Sequence, residues 1–337
     1  MTKISVLGAG SWGTALALLL ADNGHEVTLW STTEKNASLL REKRENVSKL
    51  PGVEIPESIE ITSNLEEALK ERDIVVLATA SPYIRSMSQR IAPFIKEGQI
   101  LVNVAKGVEA DTLMTMGDII KTELPEADVC VLSGPSHAEE VGKRIPTTCV
   151  VSANSRKTAE YVQKTFMNSA FRVYTTPDFL GVEIGGALKN VIALAAGAAD
   201  GLGYGDNTKA ALITRGIAEI SRIGVKMGAK IETFYGLSGI GDLIVTCASV
   251  HSRNRKAGYL IGKGYTMEAA MEEVQMVVEG VHSARAAQEL AEKYDVEIPI
   301  ISEVNKVLFG GKSAADAVED LMLRDKKVES PMLPWEE

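Results

Sequence analysis

The sequence predicts an α/β fold, with an N-terminal doubly wound, mostly parallel sheet flanked by helices and an all-α domain after it. Three observations predict this. Short apolar runs alternate with helical stretches through the first half of the chain. A glycine-rich turn joins the first of those runs to the first helix, and strand signals are absent beyond residue 176. A chain of 337 residues is also long for one core, which favours two domains.

Residues 3–7 form a β-branched, apolar run, residues 14–22 have helical character, and Gly24 ends that helix. Residues 26–30 alternate and predict a second strand, completing a βαβ opening. Further strands are expected at 74–79, 100–104, 129–132, 147–151 and 171–175, with helical or polar stretches such as 66–70, 83–94 and 114–122 between them. Thr176-Pro177-Asp178 then offers a threonine suited to the N-cap and a proline suited to the first helical position. Helices are predicted at 178–199, 208–228, 253–261, 266–274, 283–294, 299–309 and 314–323. The expected domains are 1–176 and 177–327, with a tail over 328–337 that frays.

The composition narrows the function. With 36 basic and 45 acidic side chains the net charge is −9, which disfavours nucleic acid and anionic membranes as partners. An anionic small-molecule substrate therefore needs a local basic cluster. No apolar run approaches the ~20 residues of a spanning helix, and no signal-peptide pattern opens the chain, so a cytoplasmic protein without membrane insertion is expected. Cys130, Cys149 and Cys247 are odd in number and far apart, and the four histidines lack ligand spacing, so neither a disulfide framework nor a metal is expected. Helices rich in alanine and glycine allow a homodimer.

Gly8-Ala9-Gly10-Ser11-Trp12-Gly13 is a G-x-G-x-x-G between a predicted strand and a predicted helix, the context that makes this motif a dinucleotide turn. Its first glycine permits the tight turn, the second lets a pyrophosphate approach, and the third packs helix on strand. The helix N-terminus then faces the phosphates. At the end of the second strand stand Ser31, Thr32 and Thr33, with Glu34 and Lys35 beyond, in place of an acidic residue for NAD or an arginine for NADP. Short hydroxyls serve either cofactor, which leaves that choice open.

Lys189 is a single charge inside Gly185-Gly186-Ala187-Leu188-Lys189-Asn190-Val191-Ile192-Ala193. Its helical neighbours are Gly185, Gly186, Ile192 and Ala193, and desolvation in that company lowers an ammonium pKa toward the neutrality that acid/base work needs. A lysine snorkelling at a helix–helix edge is the other reading. Ser252-Arg253-Asn254-Arg255-Lys256 gathers three positive charges, of which Arg253, with the Asn254 amide, suits a phosphate, while Arg255 and Lys256 read as a solvated face. Asp242, after a glycine-rich turn, fits both a group that orients a lysine or hydroxyl and an N-cap for residues 243–247. Lys106 and the stretch Gly134-Pro135-Ser136-His137-Ala138 follow predicted strands at the edge where open parallel sheets bind ligands. His137 reads as a loop histidine.

Taken together, these motifs resemble those of the bacterial NAD(P)-dependent sn-glycerol-3-phosphate dehydrogenase family. The match also rests on Lys106-Gly107, Ser133-Gly-Pro-Ser, Arg172-Val-Tyr, Leu212-Ile-Thr-Arg-Gly, Gly241-Asp-Leu and Val277-Val-Glu-Gly, and runs from Gly8 to about Leu323. The resemblance implies a Rossmann domain followed by an all-helical domain. It implies reversible reduction of dihydroxyacetone phosphate to sn-glycerol 3-phosphate with NAD(P)H, feeding glycerophospholipid synthesis. It further implies a cofactor site lined by Ser11, Trp12, Lys106, Ala138, Arg253, Val277 and Glu279, with Gly8, Gly10, Gly13 and Thr32 added from the motif reading. Substrate would be surrounded by Lys106, Gly134, Ser136, Lys189, Asp242, Ser252, Arg253 and Asn254, with Lys189 the acid/base lysine assisted by Lys106 and Asp242. Many members carry an arginine at Ser31–Thr33, so the resemblance leaves the choice between NADH and NADPH undecided. Two other readings fit the same plan: a hydroxyacid dehydrogenase, and a dinucleotide sensor without catalysis. The sensor gives no reason for Lys106, Lys189, Asp242 and Arg253 to occur together.

Overall fold

The computed structural model describes residues 1–329; the expectation for the tail falls largely on 330–337, outside the described residues. The N-terminal part contains β1 (Lys3–Leu7), β2 (Glu26–Trp30), β3 (Glu45–Asn46), β4 (Leu50–Glu54), β5 (Ile59–Thr62), β6 (Ile74–Leu77), β7 (Ile100–Asn103), β8 (Asp128–Ser133), β9 (Thr147–Ala153) and β10 (Phe171–Thr176). Eight of these form one sheet in the order β10-β9-β8-β7-β6-β1-β2-β5, while β3 and β4 pair as a separate hairpin. Only the β8–β9 pairing in the large sheet is antiparallel. The chain reverses its winding between β1 and β6, so a crevice opens beyond their carboxyl ends.

Helices α1 (Ser11–Asp22), α2 (Glu34–Lys43), α3 (Leu65–Leu69), α4 (Ile84–Ile91), α5 (Met116–Glu123), α6 (Ala138–Gly142) and α7 (Arg156–Phe166) surround the sheet. On one face Leu16, Leu20 and Phe166 pack against Ile4, Val6, Leu29 and Val151. On the other, Ile84, Met87 and Ile119 cover Leu7, Val75 and Leu101. Burial on both faces explains why the strands read as continuous apolar runs.

The rest is α8 (Phe179–Leu202), α9 (Asp206–Met227), α10 (Ile231–Phe234), α11 (Asp242–Ala248), α12 (Arg253–Gly262), α13 (Met267–Val274), α14 (Glu279–Tyr294), α15 (Pro299–Phe309) and α16 (Ala314–Met322). The long helix α8 is its axis, with Ile184, Leu188, Val191 and Ile192 in a core shared with Ile220, Leu243, Ala287 and Ile301. By length and composition α8 can cross a membrane, contrary to the expectation that no segment would; here 83% of its most apolar window is buried inside the protein. Its N-cap is Asp178, whose Oδ1 accepts from Gly181 N at 3.0 Å, and not Thr176. Thr176 ends β10, and the carboxylate two residues on is the stronger acceptor at a helix start.

Two buried carboxylates from neighbouring helices secure helix ends. Glu183 of α8 accepts the Gly117 N–H of α5 at 2.7 Å, tying the helical part to the sheet, and burial pushes its pKa up to about 7. Glu219 of α9 accepts from Ile300 N (2.8 Å) and Ile301 N (3.1 Å), serving α15, which has no side-chain cap of its own. Glu219→Ala is expected to destabilise the protein by about 2–4 kcal/mol in urea unfolding, because two buried N–H groups lose their acceptor. Burial raises the Glu219 pKa from 4.5 to about 7. The proton-linked part of its contribution is therefore complete below pH 4.5 and lost as the pH rises through about 7, while the two N–H bonds persist to the carboxylate.

Candidate active site

The dinucleotide turn has the shape its sequence requires. Gly8 adopts φ +127° and donates its N–H to Trp30 O at 3.1 Å, and a Cβ there would lie 2.7 Å from Ala78 O on the neighbouring β6 end. A Cβ on Gly13 would run into the Gly8 carbonyl. Gly10 differs, since a Cβ there would meet nothing within 4 Å. Open space at the second glycine, at the start of a helix whose first N–H groups receive no side-chain cap, is a cradle that fits a pyrophosphate. Ser11 and Trp12 open α1 and are half-buried at that edge. The turn is braced by Asn46, whose amide donates to Ala9 O (3.2 Å) and Thr14 Oγ1 (2.9 Å). The short β3–β4 hairpin carries no apolar alternation, so nothing in the sequence pointed to Asn46.

Facing the crevice, three charges meet, Lys189 and Asp242 buried and Lys106 half-buried. The Lys189 ammonium lies 2.8 Å from Asp242 Oδ1, and the Lys106 ammonium donates to Asp242 Oδ2 at 2.6 Å. One carboxylate thus joins a lysine of α8 to a lysine from the β7 end. Lys106 also donates to Gly134 O (3.0 Å) and Lys189 to Thr246 Oγ1 (2.5 Å), while the Thr246 hydroxyl donates to Asp242 O. An ammonium has three donors, so each lysine keeps one for a ligand. Burial pushes Lys189 down to about 8, with Lys106 adding to the fall and Asp242 opposing it. Burial alone would raise the Asp242 pKa, but the two ammonium groups hold it below the usual carboxylate range. Asp242 is therefore an ion-pairing group on the first turn of α11 and not its N-cap.

The paired glycines of α8 make this meeting feasible. A Cβ on Gly185 would lie 2.5 Å from Ser238 O, in the segment that delivers Asp242. One on Gly186 would lie 2.9 Å from Ser133 Oγ and 3.4 Å from the Lys106 stem. Ser136, which follows β8, donates to Gly134 O at 2.9 Å, and Ala138 opens α6 after His137. His137 serves as the backbone N-cap of α6, its ring 5.9 Å from that of His251, and burial followed by the charge of Lys189 lowers its pKa.

Ser252 caps α12, accepting from Arg255 N at 3.2 Å, and next to it the exposed Arg253 makes no ion pair among the described residues. Asn254 is buried and partly committed: its amide donates to Asn190 Oδ1 (3.0 Å) and accepts from Gly280 N (2.8 Å), leaving one N–H. Arg255 is not part of a solvated face, because Asp200 holds it at 2.7 Å and makes it structural. Val277 precedes α14 and Glu279 opens it, and Glu279 Oε1 accepts from Ser81 N (3.4 Å) beyond β6, so this loop spans the crevice. Thr32 stands apart from the lysines, at the exposed end of β2. Thr246 and Asn190 escaped the sequence reading. The signals for them were position i+4 from Asp242 on one helix face and adjacency to Lys189.

The family model described as NAD-dependent glycerol-3-phosphate dehydrogenase N-terminus matches residues 3–159, and its C-terminus counterpart matches residues 178–319. The chain is 63% identical over 335 residues to glycerol-3-phosphate dehydrogenase [NAD(P)+] of Agathobacter rectalis, covering 99% of this chain and all of that one. It is also 63% identical to the Fusobacterium nucleatum enzyme of the same name over 331 residues, covering 98% and 99%. Among solved structures, glycerol-3-phosphate dehydrogenase from Coxiella burnetii superposes with a TM-score of 0.92 at 33% identity, covering 96% and 99% of the two chains. With both halves matched in order and nearly the full length shared at such identity, the chain belongs to the NAD-dependent glycerol-3-phosphate dehydrogenase family.

Proposed function

We propose that the chain catalyses the reversible reduction of dihydroxyacetone phosphate to sn-glycerol 3-phosphate with NAD(P)H. The observation that carries this reading is the Lys189–Asp242–Lys106 cluster, with one ammonium of depressed pKa, beside a turn shaped for a dinucleotide. Residues 1–176 hold the cofactor through Gly8, Gly10, Ser11, Trp12, Gly13, Thr32 and Ala138, joined by Arg253, Val277 and Glu279 of the helical domain, residues 177–327.

The bound cofactor supplies a hydride to the carbonyl carbon of the substrate. Lys189 gives its proton to the oxygen that becomes the new hydroxyl, and Lys106 adds positive potential where that oxygen gains charge. Asp242 stays ionised and fixes both ammonium groups. Arg253, the remaining Asn254 N–H, Ser252 and the start of α12 hold the phosphate, whose binding energy orients the carbonyl. Gly134 and Ser136 form the wall beside Lys106.

The test is consumption of the reduced cofactor by the purified protein with dihydroxyacetone phosphate or unphosphorylated dihydroxyacetone, and formation of reduced from oxidised cofactor with a 3-hydroxyacid. Turnover confined to the phosphorylated ketone is expected; turnover of the acid alone rejects the reading. In the same assay Arg253→Ala is expected to cut discrimination for the phosphorylated ketone by about 10- to 100-fold, the worth of a hydrogen bond to a charged group. Unchanged discrimination removes Arg253 from the phosphate site.

The finer role follows from the product, whose two free hydroxyls are the acylation sites of a glycerophospholipid, so the reading includes lipid supply. It also includes a cytoplasmic location, without membrane insertion, since substrate and cofactor are water-soluble anions. The reading also includes a homodimer, for which light scattering should give twice the chain mass of 36.2 kDa.

A further inference from the structure

The segment after β2 lies beside the dinucleotide turn. Gly8 N–H meets Trp30 O, and Ser31 N donates to Thr62 O at 2.9 Å, so residues 31–34 run along the carboxyl edge between the turn and the end of β5. The polar groups here are already arranged. Ser31 Oγ accepts from Asn36 Nδ2 (2.7 Å), and Thr33 caps α2 by accepting from Asn36 N (3.3 Å). Glu34, the first residue of α2, is exposed, yet its carboxylate is not free to wander. The Ser38 hydroxyl donates to it at 2.8 Å, Ser63 beyond β5 donates to its other oxygen, and the Arg41 guanidinium pairs with it. A carboxylate offers about four acceptor positions, and these donors take three. One is left. Arg41, the guanidinium nearest in sequence, is committed to Glu34, to Ser38 Oγ (3.0 Å) and to Ile61 O (3.0 Å).

The adenosine ribose of a dinucleotide bound at such a turn lies over the end of the second strand, where a carboxylate accepts from its hydroxyls or a guanidinium receives a 2′-phosphate. Resting on the proposed dinucleotide site, we infer that Glu34 makes this chain prefer NADH to NADPH, its carboxylate accepting from a ribose hydroxyl and repelling the 2′-phosphate. The three hydrogen bonds, led by that of Ser63, hold Glu34 ionised with a pKa of about 2, so the repulsion persists throughout the neutral range. Lys35, the next residue, and Arg90, whose guanidinium lies 5.4 Å from the Trp30 ring, form no ion pair among the described residues, and they are where a 2′-phosphate would find help if the inference is wrong.

Equilibrium binding of NADH and of NADPH to the full chain without substrate, by calorimetry, tests this. The dissociation constant for NADPH should exceed that for NADH by about tenfold or more. In Glu34→Gln that ratio should fall by about tenfold, and in the native protein it should shrink as salt screens the carboxylate. A native ratio of one or less, a ratio unmoved in Glu34→Gln, or a loss of NADPH binding confined to Lys35→Ala would overturn the inference. If neither dinucleotide binds, it falls together with the cofactor site. NADH preference in a protein that does not reduce dihydroxyacetone phosphate would leave it standing and reject the proposed reaction instead.

Discussion

Lys189→Met is expected to lower turnover by about a thousandfold or more while leaving dinucleotide binding within a few-fold of native. A positioned acid is worth about 10²–10⁴ in rate, and here the same ammonium also adds charge where the new alkoxide forms. Methionine keeps most of the apolar stem of lysine, so the buried position on α8 stays filled. Asp242 retains Lys106 at 2.6 Å, so the variant does not strand a buried carboxylate. Steady-state rates together with calorimetric titration of the cofactor separate lost chemistry from lost binding. Near-native turnover would remove Lys189 from the reaction.

The pH profile carries the same claim with a definite sign. Reduction needs the protonated ammonium, so its kcat/KM is expected to be level below about pH 8 and to fall above it, as Lys189 with its pKa of about 8 loses its proton. Oxidation of sn-glycerol 3-phosphate needs the neutral amine, so its kcat/KM rises through the same point. Residual activity in Lys189→Met should lack this inflection.

Much of the fold was legible in the sequence because strands covered on both faces leave unbroken apolar runs, as at β6 and β7. Helix α2 was not legible: it buries only Ala37 and Leu40 among ten residues, too few to mark a period. The start of α14 was missed for another reason. It opens at Glu279, where Val278 offers no capping side chain, so no local signal precedes the apolar stripe that begins at Ser283. At the site, the sequence singled out Lys189 because a charge among glycine, alanine and isoleucine is conspicuous. Its partner was less visible, since an aspartate before an apolar segment serves equally well as a cap. Only the folded chain decides that the carboxylate faces two lysines, one of them 136 positions away.

Asp242→Asn is the second change with a large expected effect, and its signature differs from that of Lys189→Met. The amide keeps the shape of the carboxylate but leaves the buried Lys189 ammonium facing that of the half-buried Lys106 with no counter-charge between them. One of them will tend to shed its proton. Lys189 is the better candidate, because burial and Lys106 already depress its pKa and Asp242 is the chief group opposing them. The inflection in the reduction profile is therefore expected to move from about pH 8 to a lower value. Activity at neutral pH should fall by about 10²-fold, with partial recovery on acidification. Urea unfolding should show a loss of about 3 kcal/mol, the scale for removing one partner of a buried ion pair. A purely structural role for Asp242 predicts the stability loss with the inflection still at about pH 8, so the pH profile is the deciding measurement.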